Sequence, residues 1–319
     1  MVDPTGLRPQ ALQLQAYAKV NLFLRVLGKR PDGFHDIRTL FQTVSLSDSL
    51  SVRLTPGGQP AVKLTCSRED LQGEDNLAWR AAALMLRLSG LAAQIEITLD
   101  KAIPSGAGLG GGSSDAAAVI RAVASMLPTR PAARALFEVA AELGSDVPFF
   151  LLGGTAIGTG RGTDLSPLAD LRPAAIAIAQ PAEEVSTGWA YRALEEHRAA
   201  LTPDSDMGKI EGTNLSSNAP PVGPLPGSGE GMVNDFESVV FQRYPLIAAL
   251  KKRLQALGAQ PALMSGSGSA VFGVFESDQS ARLVARTLRA EGFAAWPAKY
   301  VGRAASRVQG ASDFDSARG

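Results

Sequence analysis

The stretch IPSGAGLGGGSSDAAAVI, residues 103 to 120, places five glycines in the seven residues from Gly106 to Gly112 and then turns into a run of helix formers. Glycine loses more backbone freedom on folding than any other residue, so such a cluster belongs to neither a strand interior nor a helix interior. It reads as a turn that leads onto the start of a helix. Without Cβ atoms its N–H groups can approach an anion closely, and the helix adds free donors and the positive end of its dipole. Ser113 and Ser114 follow, suited to hydrogen-bond a phosphate or to ligate a phosphate-bound magnesium ion. The other use of such residues is a flexible linker or a tight packing turn.

Three familiar phosphate sites fail on context. Gly106, Gly108 and Gly111 satisfy G-x-G-x-x-G, but a dinucleotide site needs a βαβ unit with an acidic residue about 20 positions on. Here the region near residue 131 reads RPAARAL, with neither strand nor acid. A Walker loop needs a lysine before its Ser or Thr, and none stands there. A protein-kinase glycine loop joins two strands, whereas this one runs into a helix.

Composition narrows the rest. Of 319 residues, 45% are hydrophobic and 19% charged, which predicts a globular protein with ample core. Lys plus Arg and Asp plus Glu both number 31, so a broad nucleic-acid or anionic-membrane surface is not expected, although a local basic pocket is compatible with this balance. Cys66 is the single cysteine, so no internal disulfide forms and a reducing compartment is the simplest expectation. With two histidines besides, a zinc site is not expected. No apolar run reaches membrane-spanning length, and MVDPTGLRPQ lacks a signal pattern, so the chain reads as cytoplasmic.

Residues 12 to 26, LQLQAYAKVNLFLRV, alternate apolar and polar as a half-buried strand does, with Lys19 and Asn21 sharing the polar face. IRTLFQTVSL and SLSVRLT read as two further strands, NLAWRAAALMLRLSG as a helix capped by Gly90, and QIEITL as the strand entering the glycine turn. After it come the helix SSDAAAVIRAVASML with a serine N-cap and Asp115 in its first turn, and a second helix ending at Gly144. Later segments alternate: the strand AAIAIAQP, the helix GWAYRALEEHRAA, a long helical stretch broken at Pro245, a strand–glycine turn–strand around MSGSGSAVFGVF, the helix SARLVARTLRAEG and a last strand FAAWPAKYV. Residues 203 to 231, rich in Pro, Gly, Ser and Asn, read as a mobile linker. The pattern is α+β.

The loop PSGAGLGGGSSDAA resembles the phosphate-binding motif of the GHMP kinases, the superfamily of galactokinase, homoserine kinase, mevalonate kinase and phosphomevalonate kinase. AYAKVNLFLRV is similar to its first motif, LGSDVPFFL to its acidic loop and MSGSGSAVFGVF to its third, glycine-rich motif, all in family order. The resemblance implies a two-domain α+β fold: an ATP-binding domain like the second domain of ribosomal protein S5 over residues 12–170, and a ferredoxin-like domain over 171–302, with a flexible tail from 303 to 319. It implies transfer of the γ-phosphoryl group of ATP, with Mg2+, to a small-molecule alcohol. AKVNLFL together with RPDGFHDIRTLFQ and GSDVPFF resembles the branch that phosphorylates the 2-hydroxyl of a cytidine-diphosphate-linked methylerythritol. A kinase for homoserine, mevalonate or a sugar, and a non-catalytic nucleotide- or RNA-binding relative, are the alternatives; monomer and homodimer both remain open.

Site roles follow from the same resemblance. Lys19 and Asp146 are the implied catalytic pair, Asp146 orienting the acceptor hydroxyl and taking its proton while Lys19 stabilises charge. Pro104, Ser105, Gly106, Ala107, Gly108, Leu109, Gly110, Gly111, Gly112, Ser113 and Ser114 are implied to hold the ATP phosphates, with Ser114 a candidate Mg2+ ligand. Asn76 in EDNL and Lys101 in LDKAIP match adenosine-side positions, although Asn76 also suits a helix N-cap and Lys101 a surface site. Asn21, Phe34, His35 and Thr187 match substrate positions. The family usually has tyrosine before this histidine; Phe34 keeps a ring to stack on cytosine but lacks the hydroxyl.

Overall fold

A computed structural model describes residues 8–201 and 231–306, so the expected linker lies outside it except for Gly231, as does the tail beyond Ser306. The first sheet grows from one long antiparallel hairpin, β1 (Gln10–Lys29) and β2 (His35–Pro56). The alternation of β1 emerges as burial, with Ala16, Ala18, Val20, Leu22, Leu24 and Val26 all covered. The two strands expected between residues 37 and 55 are one continuous β2. Asp48, which reads as a break, is wholly buried, and its Oδ1 accepts the N–H groups of Ala102 and Ile103 at 2.6 and 2.8 Å. Those tertiary donors satisfy the carboxylate, so it has no need of a local turn.

Along its second edge β2 pairs first with β5 (Thr155–Thr159) and then with β4 (Ala93–Asp100). β6 (Asp164–Pro167) adds to β5, and β3 (Ala61–Cys66) lies parallel to β4. Parallel neighbours need a crossover, supplied by α1 (Leu77–Ser89), which Asn76 and Gly90 cap as expected. With α2 (Gly111–Met126), α3 (Ala133–Leu143) and α4 (Val147–Leu152), α1 covers one face of the sheet. The start of α2 differs from expectation. Its N-cap is Gly110, left-handed at φ 73°, and Ser113 and Ser114 lie within the helix. The glycine turn itself bends the chain into the helix, and the Ser114 hydroxyl instead donates to the Tyr17 carbonyl at 2.6 Å.

The second sheet, in the order β10-β7-β9-β8, comprises β7 (Ala175–Gln180), β8 (Ala262–Met264), β9 (Val271–Phe275) and β10 (Ala294–Lys299), all antiparallel. Its helices are α5 (Thr187–Leu201), α6 (Glu237–Arg243), α7 (Pro245–Ala256) and α8 (Asp278–Ala290), a ferredoxin-like arrangement. The expected break at Pro245 is the α6–α7 junction. Every residue of β7 is buried: Ala175, Ala177 and Ala179 pack with the helices, while Ile176 and Ile178 join a core shared with β1, β2 and the glycine turn. Val20, Leu22, Leu40, Ala107, Leu109 and Phe272 meet in that shared core, which anchors the glycine turn between the sheets.

Beneath the turn sits a buried charged triad. The Lys101 ammonium donates to Asp48 Oδ2 at 2.5 Å and to Asp115 Oδ2 at 2.7 Å, and Asp115 Oδ1 has no partner among the described residues. Burial, opposed by Lys101 but reinforced by Asp48, pushes the Asp115 carboxyl up from its ordinary 3.8 to about 7. A carboxyl raised on folding binds its proton more tightly in the native state. Its contribution to stability is complete below the ordinary value and is lost as pH rises toward about 7. The D115N variant should therefore lack this fall. Thermal unfolding of both proteins across this range should show the Tm of D115N gaining on wild type as pH rises; a constant difference would refute the assignment.

Candidate active site

The middle of β1 sets the centre of the site. Register shifts between Tyr17 and Lys19 and between Asn21 and Phe23 interrupt its pairing with β2, and the Lys19 N–H turns to the Leu109 carbonyl of the glycine turn at 3.0 Å. Lys19 is only 3% exposed, unusual for a lysine on a strand. Its Nζ donates to Asn21 Oδ1 at 2.7 Å and stands 3.5 Å from Asp146 Oδ2. Asn21 Nδ2 donates to Thr39 Oγ1 at 2.7 Å, and that hydroxyl donates to the Phe23 carbonyl. The chain of bonds leaves Asn21 one amide orientation and aims Lys19 at Asp146. Asp146 comes from the turn before α4; its side chain makes no capping bond and is 35% exposed, toward solvent and the cleft.

Two glycine turns meet at this point. The left-handed Gly108 lies so close to residues 265–268 that a Cβ on it would stand 2.1 Å from the Ser265 carbonyl oxygen. Ser265 Oγ donates to the Gly108 carbonyl at 3.0 Å, and the Ala270 N–H donates to the Ala107 carbonyl at 3.1 Å. A Cβ on Gly110 would strike the Phe150 ring at 2.7 Å. The side chains of Ala107 and Leu109 are buried in the shared core, so their part in any anion site is played by backbone. At the head of α2 the Ser114 N–H already donates to the Gly110 carbonyl, which leaves the N–H groups of Gly111, Gly112 and Ser113 without an intrahelical acceptor.

A cleft of about 520 Å³ opens from this junction. Lys19, Asn21, Gly108, Gly110 and Asp146 form its floor, and Phe34, His35 and Thr187 stand in its walls. The structure thus brings together residues from β1, the hairpin turn, the glycine turn, the α4 turn and α5. Two expected positions are elsewhere. Asn76 caps α1, its Oδ1 accepting the Ala78 N–H at 2.9 Å, and Lys101 is held in the buried triad. Pro104 and Ser105 lead into the glycine turn and are half-buried.

His35 is held from two sides. Its Nε2 lies 2.5 Å from Glu195 Oε1, and its ring stacks on Tyr191 at 4.3 Å with 19° between planes. Lys29 donates to the other oxygen of Glu195 at 3.1 Å. Although burial works against it, the bonds from His35 and Lys29 hold the Glu195 carboxyl below its usual range. Burial, and then the nearby charge of Asp146, pushes the Tyr191 hydroxyl up to about 12. Thr187 Oγ1 and Ser267 Oγ are 2.9 Å apart, joining α5 to the second glycine turn.

Several residues of the site escape the sequence reading. Tyr191 and Glu195 follow Thr187 at intervals of four, a spacing that places all three on one helix face and was available as a signal. Residues 234–237, NDFE, read only as a helix start, yet all four make contacts beyond their own helix. Asn234 Nδ2 donates to the carbonyls of Met264 and Gly266 at 2.8 and 2.7 Å; Asp235 accepts from Arg25, Arg198 and the Val26 N–H; the Phe236 ring supports Tyr191; Glu237 accepts from Lys251 and the Met264 N–H.

Among the described residues no group of three or more His, Cys, Asp or Glu side chains is placed to hold a metal ion, and no helix is long and apolar enough to cross a membrane. The family model described as the GHMP kinases N terminal domain matches residues 76–154, and the GHMP kinases C terminal model matches residues 224–294. A 4-diphosphocytidyl-2-C-methyl-D-erythritol kinase from Solibacter usitatus is 46% identical over 82% of this chain and 80% of its own length. One from Geobacter metallireducens is 41% identical over 88% and 94%. The crystal structure of a 4-(cytidine 5'-diphospho)-2C-methyl-D-erythritol kinase, 36% identical, superposes with a TM-score of 0.74 and covers 91% of this chain and all of that one. The chain belongs to the 4-diphosphocytidyl-2-C-methyl-D-erythritol kinase family of the GHMP kinases.

Proposed function

We propose that Lys19 and Asp146 act on an acceptor hydroxyl while the glycine turn and the head of α2 hold the phosphates of ATP. The chain is an ATP-dependent small-molecule kinase of isoprenoid biosynthesis. Its acceptor is the 2-hydroxyl of 4-(cytidine 5'-diphospho)-2-C-methyl-D-erythritol. The observation that carries the assignment of roles is the 3.5 Å approach of Lys19 Nζ to Asp146 Oδ2, within a cleft that the glycine turn floors and that Phe34, His35 and Tyr191 help to line.

Asp146 orients the hydroxyl and accepts its proton. Lys19, held in place by Asn21 and Asp146, stabilises negative charge on the attacking oxygen and the moving phosphoryl group. Phosphoryl transfer has a loose transition state, so the contribution of the protein is chiefly position and charge. Phe34, His35 and Tyr191 supply ring faces and a ring nitrogen suited to a pyrimidine base, and Thr187 stands beside them. Mg2+ enters with ATP. Among the described residues no cluster of three or more His, Cys, Asp or Glu side chains could cage it, and an ion of this kind is ordinarily carried mainly by the phosphates; the hydroxyl of Ser114, the candidate ligand, donates to Tyr17. The reading takes the enzyme as cytoplasmic, a monomer or homodimer, with no nucleic-acid partner.

D146N keeps the shape of the side chain and removes the base. Its kcat should fall roughly 100- to 10,000-fold, the usual worth of a positioned acid–base group, while calorimetry finds ATP affinity nearly unchanged; near-normal turnover sinks the assignment. H35A, by contrast, should act mainly on KM for the cytidine substrate, about tenfold or more for a lost base-edge contact, with KM for ATP unaltered. Equal effects on both KM values would show that His35 does not read the base.

A further inference from the structure

Four cationic side chains line the cleft: Lys19, Lys29, Arg161 and Arg192. Lys19 faces Asp146 and Lys29 is paired with Glu195, whereas the substrate proposed above would bring a diphosphate of its own between its base and its reacting hydroxyl. Arg161 sits in the turn between β5 and β6. That turn is pinned: the Ile37 N–H donates to the Gly160 carbonyl at 2.8 Å and the Gly162 N–H to the Thr159 carbonyl at 2.9 Å. The guanidinium carbon lies 3.4 Å from the centre of the Phe34 ring, and Nε is buried without a hydrogen-bond partner among the described residues. Asp32, whose charge reaches Arg161, is itself engaged by Arg30 at 3.1 Å.

We propose that Arg161 is a substrate-binding residue that holds the diphosphate of the cytidine substrate, with Phe34 as its platform; the substrate in this statement rests on the kinase reading above. A guanidinium presents a planar fork of donors that matches phosphate oxygens. Stacking on Phe34 fixes that plane in advance, so less freedom is lost when the anion arrives. Arg192, which also lines the cleft, is exposed, and no ring among the described residues is recorded beneath it. The arrangement also gives a use to phenylalanine where the family usually has tyrosine: one ring face carries Arg161 and no phenolic hydroxyl is required for that contact.

The test is binding of CDP and of cytidine, measured by calorimetry on the full chain, with wild type, R161A, R161K and F34L. Wild type should bind CDP more tightly than cytidine. R161A should weaken CDP roughly 10- to 100-fold, the usual worth of hydrogen bonds between charged partners, and leave cytidine nearly unchanged. R161K, which keeps the charge and most of the volume, should recover only part of the preference, and F34L should lose part of it. In turnover, R161A should raise KM for the cytidine-diphosphate-linked diol with little change in kcat. An unaltered CDP preference in R161A overturns the inference, as does an equal weakening of CDP and cytidine. Failure of the wild type to phosphorylate the diol would instead refute the kinase reading, because the two binding constants decide the role of Arg161 without turnover.

Discussion

The site depends on the contact of two backbones. Residues 106–110 and 265–268 press together so closely at Gly108 that a single methyl group would collide with the Ser265 carbonyl oxygen. Side chains on that surface would hold the turns apart. With glycine at Gly108 and Gly110, the first turn can be gripped by the second, by the Leu109 carbonyl bonded to β1 and by the apolar core beneath it. A segment that is intrinsically the least ordered in the chain thereby becomes fixed, and its N–H groups are held in place before any ligand arrives. Preorganised donors of this kind need no rearrangement as charge develops.

Charge around the glycine turn is arranged in layers. Lys19 is buried within β1 yet keeps two polar partners, and the lysine beneath the turn, Lys101, is neutralised by Asp48 and Asp115. Buried charges survive when they are paired and hydrogen-bonded, and removal of one partner leaves a costly unpaired ion. On the opposite wall His35, Glu195 and Lys29 form a line of bonds linking the hairpin to α5. This side of the cleft is therefore built by elements of both sheets, and any drift of one against the other would be felt there.

Much of this was legible in the residues. The alternation of β1, the caps Asn76 and Gly90, the helices and the break at Pro245 are local matters of periodicity and backbone preference, and they appear where the pattern puts them. Two strands were expected where β2 is continuous, because the carboxylate of Asp48 between them is satisfied by distant N–H groups that local sequence does not show. The serine cap misled because a left-handed glycine had already turned the chain. Asn76 and Lys101 each matched a nucleotide position by motif, and the structure shows one occupied as a helix cap and the other in the triad.

The sequence by itself determined the glycine turn, its delivery onto a helix and the likeness of four ordered motifs to a kinase family, since each is a property of adjacent residues. Through that likeness it also supplied Lys19 and Asp146 as a candidate catalytic pair. Only the tertiary structure decided that the two lie 3.5 Å apart, that Tyr191, Glu195 and Arg161 share their cleft, and that residues 234–237 brace it. The reason is physical: spacing along a chain sets which residues share a local face, but contact between residues more than a hundred positions apart follows from how two sheets bury a common core.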